Sequence, residues 1–216
     1  MALRKMILSF AAACLVASVL AAAEEMKTIQ LPQPQMEGGK PLMQALKERR
    51  STREYSDRKL SDQVLSNLLW AANGVNRPDG KRTAPSARNW QEVDVYVATA
   101  DGVFLYDAPA NALKEVLTED IRALTGRQPF VGGAPVNLIY VADLAKTGRR
   151  ASDATRDTSS AVAAGCITQN VYLFCASEGL NTVVRGIVPR DELGAKMQLR
   201  PEQRILLAQT IGYPRE

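Results

Sequence analysis

Residues 157–186 read DTSSAVAAGCITQNVYLFCASEGLNTVVRG, and the reading of this stretch decides the fold. Residues 158–178 have the length of a helix of about 30 Å at ~1.5 Å per residue. Ala161, Val162, Ala164, Ile167, Val171, Leu173, Phe174 and Ala176 carry apolar side chains around nearly its whole circumference. A helix apolar on all sides is buried, either in a core or across a subunit contact. The small residues Ala163, Ala164 and Gly165 let another backbone approach closely. Gly179 offers the left-handed position of a Schellman stop, with Leu180 folded back onto Phe174 or Cys175. Asn181, Thr182, Val183 and Val184 then read as a strand. A turn of this kind is expected to present backbone N–H groups at a fixed place, which suits a planar ligand with acceptor atoms. A core helix with an ordinary cap accounts for the same residues.

The composition narrows the chemistry. No histidine occurs among the 216 residues. That excludes Ser-His-Asp and Cys-His catalysis and every His-ligated metal site. No carboxylate cluster or CxxC replaces them, so any chemistry falls to an organic cofactor. The chain opens with a basic pair, Arg4 and Lys5, an apolar run over residues 6–20, and Ala21-Ala22-Ala23 before Glu24. This reads as a cleavable signal peptide over residues 1–23 and a periplasmic or secreted location. An uncleaved anchor is the alternative, but the run is short for a span of about 20 residues. Without Arg4 and Lys5 the 27 basic residues fall to 25 against 23 acidic ones, a net charge of +2. That balance gives no case for a nucleic-acid partner. Cys166 and Cys175 sit nine apart on one helix, so their Cα atoms are ~13 Å apart, too far for a disulfide.

Residues 24–40 contain Pro32, Pro34, Gly38 and Gly39 and read as an extended arm. Pro41 suits the first turn of a helix that carries Leu42, Ala45, Leu46 and Arg49. That helix runs into Arg49-Arg50-Ser51-Thr52-Arg53, three guanidiniums and two hydroxyls in five residues. Arg forks bind phosphate oxygens bidentately; a solvated helix C-terminus has the same composition. Ser61 caps the next helix, with Leu60 stapled to Leu65 and a stripe of Val64, Leu65, Leu68, Leu69 and Ala72. Residues 82–91, RTAPSARNWQ, gather polar donors and a Trp before the alternating strand of Val93, Val95 and Val97. Asp101-Gly102 signals a hairpin with a return strand at 103–106. Residues 112–125 have helical spacing, 136–141 form a continuous apolar strand, 189–197 a short helix and 204–212 the last strand. Helices and antiparallel strands in this order indicate an α+β domain. No GxGxxG follows a first strand, so a dinucleotide fold has no support.

Taken together these pieces resemble the nitroreductase family of flavoproteins. The likeness spans most of residues 31–214 and rests on ordered segments: RRSTREY at 49–55, LSNLLWAANGVNRP at 65–78, APSARNWQ at 84–91, QPFVGGAPVNLIYVAD at 128–143, ASEGLNTVVRG at 176–186 and IGYP at 211–214. The spacing and the GVFLYD strand lie nearest the branch that includes thiazoline oxidases and related dehydrogenases. The resemblance implies an α+β fold with a central antiparallel sheet flanked by helices, built as a homodimer from residues 41–216, with one FMN in each interface cleft. It assigns Arg49, Arg50, Ser51 and Arg53 to the FMN phosphate and the pyrimidine edge of the ring. It assigns Ser86, Asn89 and Gln91 to the flank of the isoalloxazine, and Gly179, Leu180 and Asn181 to the turn facing the flavin's polar atoms. The implied function is an FMN-dependent oxidoreductase acting on a small organic substrate such as a nitroaromatic or quinone, with no catalytic side chain and no metal. A non-enzymatic exported FMN- or anion-binding module on the same frame is the alternative. Two departures stand out. The chain stops soon after the GYP strand, leaving Arg215 where relatives carry a longer basic tail. Arg88 also stands where a small residue is usual, where a bulky cation either narrows the pocket or selects an acidic substrate; with Arg82 and Trp90 it suits an acidic or aromatic substrate, and an ordinary loop surface accounts equally for the same residues. Export implies an electron partner other than a free nicotinamide pool.

Overall fold

The computed structural model describes residues 27–215. The expected signal peptide at residues 1–23 lies outside the described residues, as do residues 24–26 of the expected arm. Seven strands form one sheet: β1 (Thr28–Gln30), β2 (Val93–Thr99), β3 (Gly102–Asp107), β4 (Ala112–Leu117), β5 (Val136–Asp143), β6 (Asn181–Arg185) and β7 (Gln203–Gly212). Their order is β1-β4-β3-β2-β5-β7-β6, and every pairing is antiparallel. Among the described residues four α-helices accompany them: α1 (Leu42–Glu48), α2 (Asp62–Asn73), α3 (Asp153–Glu178) and α4 (Arg190–Lys196). The α+β architecture is the one the sequence implies. Among the described residues no helix is long and apolar enough to cross a membrane.

Strand β5 shows why an unbroken apolar run sits at the centre. All eight of its residues are buried. Leu138 and Tyr140 face α2 and α3, in a core with Leu68, Leu69, Ile167 and Val171. Ile139 and Val141 face the other way, in a second core with Leu193, Met197 and Ile205. A strand covered on both faces has no polar side to alternate with. Polar bonds then tie α3 to this sheet. The Tyr140 hydroxyl donates to Gln209 Oε1 at 2.7 Å, and Gln209 Nε2 donates to Thr182 Oγ1 at 3.1 Å and to the Thr168 carbonyl at 3.4 Å.

Three expectations require correction. Residues 112–125 do not form a helix. Residues 112–117 form β4, and only Arg122–Thr125 makes a 3-10 turn. Strand β3 would otherwise leave its backbone unpaired on that side, and pairs such as Tyr106↔Leu113 and Phe104↔Glu115 fill it. Sheet pairing outweighs a helical spacing that only a few apolar residues carried. The N-terminal arm contains a strand, because Thr28–Gln30 pairs with the far side of β4. Helix α3 starts at Asp153, with the Ser152 hydroxyl accepting from Thr155 N–H at 3.2 Å. Its 26 residues span about 39 Å, and it is not covered all round. Val162 is 62% exposed, and Ala161, Gly165 and Gln169 share that open face.

One buried cation fastens the far end of β6. Arg185 Nη1 donates to the Thr125 carbonyl at 2.7 Å, Nη2 to Asn137 Oδ1 at 3.0 Å and Nε to Thr210 Oγ1 at 3.1 Å. Desolvation by burial pushes its pKa down to about 10. Replacing it strands these acceptors and opens a cavity. Arg185→Ala is expected to lower the unfolding free energy in urea by about 2 kcal/mol; an unchanged denaturation midpoint would count against this role.

Candidate functional site

Helix α1 ends where Arg49 turns extended, its N–H still donating to the Ala45 carbonyl at 2.9 Å. The chain then runs along the free side of β6, which is the outermost strand of the sheet. Thr52 N–H donates to the Thr182 carbonyl at 2.9 Å, and Thr182 N–H donates to Thr52 Oγ1 at 3.0 Å. Asn181 Nδ2 donates to the Glu54 carbonyl at 2.6 Å. An edge strand needs such cover for its backbone groups. Here the cover also brings the arginine cluster to the turn that ends α3.

The result is a cleft of about 420 Å³ with Arg49, Arg50, Thr52, Tyr172, Gly179 and Asn181 among its walls. The Arg49 guanidinium stands 5.2 Å from the centroid of the Tyr172 ring. The Tyr172 hydroxyl accepts from Val184 N–H at 3.0 Å and lies 2.8 Å from Ser51 Oγ. Among the described residues neither Arg49 nor Arg50 meets a carboxylate within ion-pair distance. Glu48, which is next to them in sequence, is engaged by Lys40 at 2.6 Å, and that bond holds its carboxyl below the ordinary value. Two guanidiniums with free donors thus line one cleft, where they could hold an anion.

The turn differs from its sequence expectation in one respect. Gly179 is left-handed at φ 70° and ψ 26°, and Leu180 is buried, as a Schellman stop requires. However, Gly179 N–H and Leu180 N–H both donate to the Cys175 carbonyl, the latter at 2.8 Å. They close the helix and are not presented to a ligand. The turn contributes open space instead, since a Cβ on Gly179 would meet nothing within 4 Å.

The remaining candidates lie apart. Arg53 lines a neighbouring cleft of about 870 Å³ with Tyr55, Phe130, Tyr213 and Arg215. Ser86, Asn89 and Gln91 form a separate loop. Ser86 Oγ accepts from Gln91 N–H at 2.9 Å, Gln91 Nε2 donates to Asn89 Oδ1 at 3.0 Å and to the Gly80 carbonyl at 3.1 Å, and Gln91 Oε1 accepts from Arg82 Nε at 2.9 Å. Gln91 is thus a brace of its own loop. Arg82 is partly buried, which lowers its pKa from the ordinary arginine value. Among the described residues no hydrogen bond joins this loop to the Arg49 cleft, and Ser86, Asn89 and Gln91 are not among the walls of that cleft. Trp90 packs on Gly148, just before α3 begins, whereas Gly179 is where α3 ends.

Sequence reasoning missed Tyr172 and Lys40, and took Thr52 only as a hydroxyl of the arginine cluster, not as the residue that splices it to β6. Lys40 donates through its backbone to Ser177 Oγ at 2.8 Å and through Nζ to the Ala176 carbonyl at 3.1 Å. The available signal for Tyr172 was a phenol hydroxyl within the apolar run of residues 171–175.

The profile of the nitroreductase family matches residues 46–213. A protein of Methanocaldococcus jannaschii described as a nitroreductase is 32% identical over 191 residues, covering 83% of this chain and 95% of that one. A crystal structure of a protein described as a nitroreductase from Ralstonia eutropha superposes with a TM-score of 0.84 at 42% identity, covering 90% of this chain and 93% of that one. A Desulfovibrio desulfuricans structure, described as a nitroreductase in complex with FMN, shares the fold at a TM-score of 0.58 and 24% identity, covering 83% and 89%.

The Tyr172 hydroxyl joins the helix, β6 and the Arg49 segment. Tyr172→Phe is expected to cost about 1 kcal/mol of stability. Hydrogen exchange at Val184 should quicken more than at Val141; equal protection at both would show that the hydroxyl does not hold the edge.

Proposed function

This chain belongs to the nitroreductase family of oxidoreductases, and from that premise we propose that it binds FMN and passes electron pairs between that flavin and a small organic substrate such as a quinone or nitroaromatic. The observation that carries the reading is the cleft in which Arg49 and Arg50 stand beside the open turn at Gly179. The donor set fits a flavin mononucleotide. Two guanidiniums without carboxylate partners among the described residues suit a phosphate dianion. The space over the left-handed glycine suits a planar ring.

Bound FMN supplies the redox chemistry, with hydride or electron pairs entering and leaving at N5 of its ring. The work of this chain is binding and orientation. Arg49 and Arg50 hold the phosphate, with Ser51 adding a hydroxyl. Tyr172 fixes Arg49 from below. Asn181 is positioned by its bond to the Glu54 carbonyl, which leaves its Oδ1 for the ligand. Arg53 and Arg215 approach from the adjoining cleft. No side-chain acid or base is required, in keeping with a chain that has no histidine.

We further infer a homodimer in which residues 41–216 of each copy build two shared sites. The open face of α3 presents Val162, Ala161 and Gly165, and α1 presents Leu42 and Met43 at 62% and 76% exposure. Pairing two copies there covers this apolar surface. It also brings Ser86, Asn89 and Gln91 of one copy to the Arg49 cleft of the other. The signal-like residues 1–23 support export. An exported flavoprotein meets little free nicotinamide, so direct dehydrogenation of an organic substrate, or a redox partner outside the cytoplasm, supplies its electrons.

The test is purification of the exported protein and measurement of its flavin. The expected protein is yellow, releases FMN on denaturation and is reoxidised by quinones. Arg49→Ala is expected to weaken FMN binding by about 2–5 kcal/mol, the range for truncating one partner of a buried charge pair. A colourless protein that takes up no FMN, or unchanged affinity in Arg49→Ala, would refute the assignment.

A further inference from the structure

We propose that Arg88 selects substrates that carry an anionic group on an aromatic ring; the proposal rests on the flavin reading above. Arg88 sits at φ 51° and ψ 22°, in the left-handed region. A residue with a Cβ pays roughly 1–2 kcal/mol there, and glycine pays nothing comparable. Asn89 at φ 56° and Gln91 at φ 49° share the conformation. The bonds that impose it run through Ser86, Gln91, Gly80 and Arg82, and none uses the Arg88 side chain. The loop would keep its shape with glycine at this position. Backbone strain that the surroundings over-determine is a feature of functional sites. The loop's hydrogen bonds thus leave the Arg88 guanidinium free to meet a ligand.

What surrounds that guanidinium indicates the ligand. It lies 5.9 Å from the centroid of the Trp90 ring and is exposed. Gly148 lies close to the Trp90 ring, where a Cβ on it would stand 3.6 Å away. Arg149 and Arg150 follow at once and are exposed. Among the described residues Arg88, Arg149 and Arg150 have no carboxylate within ion-pair distance, whereas Arg122, Arg156, Arg200 and Arg204 each have an aspartate. Gly148 and Arg149 are pinned by their carbonyls to Arg156 at 3.3 Å. An indole plate with one unpaired guanidinium fork over it, beside a segment that carries two more exposed arginines, matches a ring bearing a carboxylate or sulfonate. The neighbouring Asn89 carries the loop into the flavin site of the proposed dimer, so a substrate held here reaches the ring.

Two variants separate charge from strain. Arg88→Gly removes both, and Arg88→Gln removes the charge alone. FMN-loaded protein is reduced anaerobically with dithionite and reoxidised in a stopped-flow instrument by 1,2-naphthoquinone-4-sulfonate or by 1,2-naphthoquinone. The ratio of half-saturating concentrations, sulfonated over neutral, is expected to rise about fivefold in both variants, the scale of one exposed ion pair. Equilibrium binding of naphthalene-2-sulfonate, which accepts no electrons, should weaken by a similar factor. The melting temperature should rise in Arg88→Gly and not in Arg88→Gln. An unchanged ratio, or unchanged naphthalenesulfonate binding, would overturn the assignment of Arg88. Failure of either quinone to reoxidise the wild-type flavin would instead overturn the flavin reading on which the proposal stands.

Discussion

The Thr52–Thr182 pairing is the contact on which the site depends. It is a two-bond splice along the free side of β6, with N–H to carbonyl in one direction and N–H to hydroxyl in the other. Without it an edge strand would be open and the segment after α1 would have no fixed course. With it, Arg49 and Arg50 are held beside the end of α3. The splice needs a strand that starts immediately after the helix, and Gly179 provides this by reversing the chain in one residue. It also needs β6 to be anchored, which Arg185 does at one end and the Gln209–Thr182 bond at the middle.

Much of this was legible in the sequence. The Schellman stop, the Ser61 cap, the Asp101-Gly102 hairpin and the apolar strand β5 each rest on local chemistry that the structure repeats. Residues 112–117 were misread because Leu113, Val116 and Leu117 satisfy a helical spacing as well as a strand, and only the vacant side of β3 decides between them. The start of α3 was set too late because residues 153–157 are polar, and a polar first turn carries no periodicity. The site was legible by residue type but not by arrangement. Arg49, Arg50, Gly179 and Asn181 meet in one cleft, yet the N–H groups of Gly179 and Leu180 turn back into the helix. Tyr172 escaped notice because its role arises from contacts with Ser51 and Val184, 121 and 12 residues away.

The distribution of the candidates is informative in itself. Arg49, Arg50, Gly179 and Asn181 stand beside the end of the long helix, whereas Ser86, Asn89 and Gln91 lie in a loop near its start, and on the proposed reading one copy does not complete the cofactor site alone. In the proposed dimer the open face of α3, lined with Ala161, Val162 and Gly165, is the contact for the second copy. On this account FMN affinity and dimerisation are linked, because each covers surface that the other leaves exposed.

Subunit mixing tests that account most directly. Chains carrying Arg49→Ala are co-expressed with chains carrying Ser86→Ala and Asn89→Ala, under different affinity tags, and the mixed dimers are isolated through both tags. On the proposed reading each site draws its arginines from one chain and its Ser86–Asn89 loop from the other. The mixed dimer therefore contains one site with both defects and one site with neither. The expected result is one tightly bound FMN per mixed dimer and weak binding in both parent homodimers. Mixed dimers that bind FMN no better than the parents, or a wild-type monomer that retains FMN, would contradict it.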